Sequence, residues 1–265
     1  MKSVLTIAGS DSSGGAGIQA DIKTISANGL FAQSAITALT AQNTLGVSAI
    51  YDISPEFVGK QLDAVFADII PDATKIGMVS SPEIIAIIAA KLAQYQAKNI
   101  VVDPVMVSTS GAKLIDDAAI CALKELLIPM AGVLTPNLQE AKALCGFNID
   151  SQKSMEKAAQ TLLALGCKAV LVKGGHSLGN SDDVLAYGTQ LVWFRQESID
   201  NQNTHGTGCT LSSAIACNLA KGLEMSDAIG AAKDYITGAL QAKLDLGQGS
   251  GPLHHMWKFA HGADL

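Results

Sequence analysis

The chain has 265 residues, 48% hydrophobic and 16% charged, with a net charge of −6 from 18 basic and 24 acidic side chains. This is the balance of a compact globular protein, long enough for one large α/β domain or two small ones; nothing forces a second, and a single domain spanning 1–265 is expected. No Lys/Arg run offers a nucleic-acid backbone or a membrane surface a grip; the N-terminus turns polar too soon for a signal peptide, and a cytoplasmic location is expected.

Ser3 to Ala8 reads as a strand, and it opens into the glycine loop Gly9 to Gly17 before a helix over Ile18 to Ala27 that Asn28-Gly29 stops. Gly15-x-Gly17-x-x-Ala20 matches a dinucleotide fingerprint, but that fold needs an acidic residue after the next strand, and none occurs from Ile22 through Tyr51. No GxxxxGK[ST] occurs either. The loop is left as a close-approach surface for a small substrate, with Asp11 and Asp21 beside it, either as binding groups or as a turn cap and a solvated helix residue.

Ser34 to Gln42 and Val47 to Ile53 are extended, joined by the turn Asn43 to Gly46. Ser54-Pro55-Glu56 and Ser81-Pro82-Glu83 are capped helix starts, each with Ser at the cap and Pro at the first helical position. Between them, Ala73 to Met78 reads as a buried strand. Asn99 to Asp103 is an apolar strand that delivers a carboxylate at its end, where ligands gather in open parallel sheets.

A helix over Asp116 to Leu127 and a strand over Gly132 to Leu134 lead to Thr135-Pro136-Asn137, a helix start with Asn137 and Glu140 on one face. Ser151 to Leu165 is an amphipathic helix, Ala169 to Lys173 a buried strand opening into glycines, and 183–194 a hairpin. Strand and helix alternate through most of the chain, which implies a mostly parallel sheet covered on both faces.

The stretch Asn203-Thr204-His205-Gly206-Thr207-Gly208-Cys209 runs into an Ala-rich helix, and a second helix follows over Ser226 to Lys243. A helix start has free amide protons and the positive end of the macrodipole, so glycines there let an anion approach the backbone. This is a candidate phosphate cradle. Of the five cysteines, none forms a CxxC pair and four sit in apolar settings. Cys209 alone stands at the cradle, where a thiol's pKa is expected to fall.

A kinase needs an anion cradle, carboxylates to manage Mg²⁺ and a group to orient the attacking hydroxyl. Asp103, Asn137 with Glu140, Lys173 and the 206–209 cradle are candidates for these roles, although each alone could be a turn cap, a solvated helix residue or a strand-end lysine.

Taken together, Gly9-Ser10-Asp11-Ser12 through Gly17-Ile18-Gln19-Ala20-Asp21, Gln42, Asp103-Pro104-Val105-Met106, Thr135-Pro136-Asn137 with Glu140, Lys173-Gly174-Gly175-His176 and Asn203 to Cys209 resemble the hydroxymethylpyrimidine/phosphomethylpyrimidine kinase family of thiamine biosynthesis. The resemblance implies a ribokinase-like three-layer α/β/α sandwich, a homodimer, and two successive ATP- and Mg²⁺-dependent phosphorylations of 4-amino-5-hydroxymethyl-2-methylpyrimidine. It implies that Gln42 pairs with the aminopyrimidine edge, that Gly9, Asp21, Met78 and Val105 line the same pocket, that Lys173, Thr204 and Asn137 contact the nucleotide, and that Asp103 and Glu140 govern the metal. Gly206, Thr207, Gly208 and Cys209 would be catalytic, with Cys209 where the wider superfamily has an aspartate base. Pyridoxine or pyridoxal kinase is the alternative within the superfamily, and a non-catalytic sensor of the pyrimidine phosphate the alternative outside it. Val107 to Ala112 and Asn180 to Asp183 are candidate lids.

Overall fold

The computed structural model describes residues 1–106, 115–175 and 181–259. Val107 to Ala112, Asn180 and His176, named above, lie outside the described residues.

Its strands are β1 (Ser3–Asp11), β2 (Phe31–Asn43), β3 (Gly46–Asp52), β4 (Ala73–Ile76), β5 (Ile100–Val102), β6 (Val133–Leu134), β7 (Ala169–Lys173), β8 (Asp183–Tyr187) and β9 (Gln190–Phe194). They form one sheet in the order β3-β2-β1-β4-β5-β6-β7-β8-β9. The six strands from β2 to β7 are parallel, and antiparallel strands close both edges. The inner strands β4, β5, β6 and β7 are short, nearly fully buried runs because both of their faces are covered.

One face packs against α2 (Pro55–Phe66), α3 (Pro82–Gln94), α4 (Asp117–Ala122), α5 (Leu138–Cys145) and α6 (Gln152–Leu163) around a core that includes Leu5, Ile7, Ile76, Ile85 and Val170. The other packs against α1 (Gly17–Ala27), α7 (Thr207–Ala220) and α8 (Met225–Gln241) through Val4, Val101, Leu171, Ile215 and Tyr235. The expected three-layer arrangement holds. Ser54 and Ser81 cap α2 and α3 by accepting from Phe57 N and Ile84 N, a device worth about 1 kcal/mol per helix. The helix expected over Asp116 to Leu127 is α4 continued by a π-helical turn at Leu123–Leu127 and a 3₁₀ turn at Ile128–Met130, where Pro129 cannot donate to an α-helical ladder.

Position in the sheet decides what reaches the site. β1, β4, β5 and β7 run parallel, so the glycine loop after β1, the ends of β4, β5 and β7, and the start of α7 all open at the same end of the strands.

Candidate active site

Gly206 caps α7 in the left-handed conformation (φ 84°), where a β-carbon would run into the Gly15 carbonyl oxygen; only glycine fits. No side chain among the described residues caps this helix. Thr207 N–H goes to the Thr204 carbonyl and Thr210 N–H closes the first intrahelical bond to Gly206, so among the described residues the amides of Gly208 and Cys209 have no partner and are placed to meet an anion. The close approach of chain to chain at Gly15 and Gly206 brings the first loop against the cradle.

Two cavities meet here. One, of about 490 Å³, is walled by Gly9, Asp11, Gln42, Met78, Val105, His205 and Cys209. The other, of about 410 Å³, is walled by Thr204, Asp183, Lys233, Ile199, Ile236 and Leu240. Asn137, Gln139, Lys173, Thr207 and Gly208 belong to both. The shared wall is the cradle itself with the strand-end lysine. Of the expected substrate set, Gly9, Gln42, Met78 and Val105 lie on the first cavity; of the expected nucleotide set, Lys173, Thr204 and Asn137 lie on the second.

Asp21 does not lie on either wall. It is fully buried beneath the site, where both of its oxygens meet Lys75 Nζ at 2.8 and 3.0 Å, and it accepts from Thr6 Oγ1 at 2.5 Å and Ser213 Oγ at 2.7 Å. The reason is periodicity: Asp21 falls on the face of α1 that packs against β1, β4 and α7, and a carboxylate there survives only with a buried cation.

Asp103 directly follows β5 and is 1% exposed. Its Oδ1 accepts from Lys173 Nζ at 2.9 Å and Thr135 Oγ1 at 3.1 Å, and its Oδ2 from Ser212 Oγ at 3.3 Å. Burial works to raise its pKa, but Lys173 and Lys75 outweigh it and hold the carboxyl below its usual range. The same carboxylates, Asp103 and Glu140, raise the Lys173 pKa against its burial, so this lysine stays charged.

Asn137 and Glu140 form a reciprocal capping box on α5: Asn137 Oδ1 accepts from Glu140 N at 2.9 Å, and Glu140 Oε2 accepts from Asn137 N at 2.8 Å. Glu140 is 6% exposed. Burial, reinforced by Asp103 and opposed by Lys173, raises its pKa to about 7. As a donor set for a hard cation, two carboxylates already tied to the protein fit a metal held mainly by water and phosphate oxygens rather than by a full protein cage. No group of three or more His, Cys, Asp or Glu stands ready to hold a metal among the described residues.

Cys209 corrects an expectation. Its thiol is pushed up to about 11, by burial first and by Asp21 and Asp103 besides, with Lys75 and a bond from Gly17 N–H pulling the other way. The helix start alone does not overcome that desolvation. At rest it is a thiol.

Three features were not singled out from sequence. Lys75 is an isolated cation in an apolar strand, and its burial was a visible oddity. His205, 4% exposed, sits 2.8 Å from Asp11 Oδ2 and 3.3 Å from Gln42 Nε2. Asp183 accepts from Lys233 at 2.6 Å and Gly174 N at 3.0 Å on the second cavity's wall, a pair that sequence spacing does not announce.

An α/β/α sandwich, nine-stranded among the described residues, with a glycine cradle between two cavities at one end of its strands defines a kinase of the ribokinase-like class. A family model described as phosphomethylpyrimidine kinase matches residues 11–254. The chain belongs to the phosphomethylpyrimidine kinase family. It is 51% identical to the hydroxymethylpyrimidine/phosphomethylpyrimidine kinase of Rhizobium meliloti, over 96% of this chain and 98% of that one. It is 53% identical, over 96% of its length, to the thiamine biosynthesis bifunctional protein ThiED of Geobacter sulfurreducens, of which it spans 52%. Among solved structures, the ADP complex of Bacillus subtilis pyridoxal kinase superposes with a TM-score of 0.91 at 38% identity, covering 98% of this chain and all of that one. No helix among the described residues is long and apolar enough to cross a membrane.

Proposed function

We propose that this chain transfers the γ-phosphoryl group of ATP first to the hydroxyl of 4-amino-5-hydroxymethyl-2-methylpyrimidine and then to the monophosphate so formed, in the cytoplasm, for thiamine biosynthesis. The observation that carries this reading is the shared wall: a donor in the 410 Å³ cavity and an acceptor in the 490 Å³ cavity would meet across Lys173, Thr207 and Gly208. The names of its relatives supply the substrate class, and the ADP complex of a close structural neighbour supports ATP as donor.

In this scheme Gln42 engages the aminopyrimidine edge and Gly9, Met78 and Val105 enclose the ring. Adding a β-carbon to Gly9 would drive it into the Met78 side chain, so the wall is already closed there. The free amides of Gly208 and Cys209 receive the transferring phosphoryl oxygens as charge develops, with Lys173 beside them. Asp103 and Glu140 would hold Mg²⁺ largely through water, and the ion would neutralise phosphate charge. Cys209, a thiol at rest, orients the attacking hydroxyl as a hydrogen-bond partner; only its minor thiolate form, left after the thiol proton has gone to solvent, takes the hydroxyl proton as the oxygen bonds to the γ-phosphorus and the bond to the leaving ADP breaks. The second acceptor is a phosphate oxygen already ionised near neutral pH and needs no such help.

The chain acts as one domain, a reading supported by the single continuous sheet. We further propose a homodimer. Every residue of edge strand β3 is at least partly exposed, and Leu39, Leu45, Ile50 and Tyr51 leave an apolar surface there that a second copy would cover.

The test is a time course with Mg-ATP and the hydroxymethylpyrimidine, following mono- and diphosphate by mass. Successive appearance of both is expected. Accumulation of monophosphate alone, with pyridoxal phosphorylated as well, would favour the reading raised by the pyridoxal kinase neighbour. Binding without turnover would favour a sensor.

A further inference from the structure

Gln42 reaches the first cavity with its amide held at both ends. One terminal atom lies 3.1 Å from Thr40 Oγ1 and the other 3.3 Å from His205 Nε2. His205 Nε2 is in turn 2.8 Å from Asp11 Oδ2, and both side chains are nearly inaccessible to water. Burial works against the Asp11 charge, but donors from His205, Ser13 and Ala16 bring its pKa down to about 2. At neutral pH it is an acceptor only. An imidazole nitrogen at that distance from an acceptor-only group carries a proton, so the one Nε2–H of His205 goes to Asp11 and the nitrogen has no lone pair to offer Gln42.

Thr40 fixes the other end. Its hydroxyl lies 2.9 Å from the Ser10 carbonyl oxygen, which can only accept. The single hydroxyl proton goes there, and Thr40 Oγ1 presents a lone pair to Gln42. An amide's oxygen and nitrogen exchange by a half-turn of its last torsion. With the nitrogen toward His205, donor faces donor at one end and acceptor faces acceptor at the other. With the oxygen toward His205 and the nitrogen toward Thr40, the amide donates to Thr40 and its oxygen faces the Nε2–H that Asp11 holds, so neither contact sets like against like.

We propose that the Asp11–His205 pair and Thr40 lock the Gln42 amide in this second orientation, and that the lock makes the site discriminate a 4-aminopyrimidine from its 4-oxo counterpart. The inference rests on the proposed acceptor. An aminopyrimidine edge offers an N–H donor beside a ring-nitrogen acceptor; the 4-oxo edge offers an acceptor beside an N–H donor. A free glutamine serves both patterns by turning over, whereas a locked one leaves the oxo edge with two mismatched contacts. The ligand cannot reverse instead, because its hydroxymethyl group must face the cradle.

The experiment compares kcat/KM for two 5-hydroxymethyl-2-methylpyrimidines that differ only in 4-amino against 4-oxo, in wild type, His205→Phe and Thr40→Val. Wild type should prefer the amino compound, and the preference should fall at least about tenfold in His205→Phe, through KM more than kcat. Thr40→Val should move the ratio in the same direction and carries the test if His205→Phe does not fold. A purely structural role would depress both substrates alike. An unmoved ratio in active variants overturns the lock alone, whereas a wild type that phosphorylates neither compound overturns the functional reading beneath it.

Discussion

Two aspartate–lysine pairs lie close to α7, and they differ in what they leave unspent. Asp21–Lys75 is sealed: both side chains are fully buried, and Thr6 and Ser213 take up what remains of the carboxylate's capacity. Asp103–Lys173 is built from the same two residue types at 2.9 Å, yet the lysine side chain is 14% exposed and faces both cavities. The sealed pair joins β1, α1, β4 and α7, while the open one keeps a charge available to a ligand. Chemical identity of a pair therefore says little about its role; the access of a third party decides it.

The largest effect that sharpens this contrast is on turnover. Asp103→Asn should cut both phosphorylation rates by about 10²–10³-fold, the scale of losing a charge-organising group, with a modest change in melting temperature. Asp21→Asn should do the reverse, costing about 3–5 kcal/mol of stability by orphaning Lys75 while the folded fraction keeps its KM. Rate assays beside denaturant titrations decide it, and an inactive Asp21→Asn that unfolds like wild type would erase the distinction.

Next in size is Cys209→Ala. The first phosphorylation should fall by about a hundredfold and the second by less than about tenfold, because only the first acceptor has a proton to lose. Equal losses in single-turnover assays of the two steps would mean that the change had damaged the cradle.

The smallest effect concerns Asp11, whose carboxyl is held at about 2 against an ordinary 3.8. A lowered folded-state pKa contributes stability that is present above pH 3.8 and lost as pH falls toward 2. Thermal melts should show that decline in wild type and a shallower one in Asp11→Asn.

Much of this was legible in the chain. The Ser-Pro-Glu starts carry their own caps, and the apolar run ending at Asp103-Pro104 announces a strand that delivers a carboxylate. Gly206 to Cys209 announces a helix start because glycines before an Ala-rich run have few other uses. What was not legible is tertiary. Asp21 had equal claims on the pocket and on solvent until the packing of α1 sent it to Lys75, and the Cys209 thiol moved opposite to the helix-start rule because desolvation is set by neighbours distant in sequence. His205 finds Asp11 across 194 positions, a pairing no local spacing encodes.

The His205–Asp11 and Ser213–Asp21 bonds, 194 and 192 positions long, also bear on how the molecule comes into being. The first cavity is completed only when the earliest residues synthesised meet the last quarter of the chain, so on the ribosome the glycine loop must wait for its counterpart. Local helices form early, but such distant closures come late and slowly. A nascent chain that has not yet released α7 can hold most of the sheet and still phosphorylate nothing: activity begins as a final event of folding.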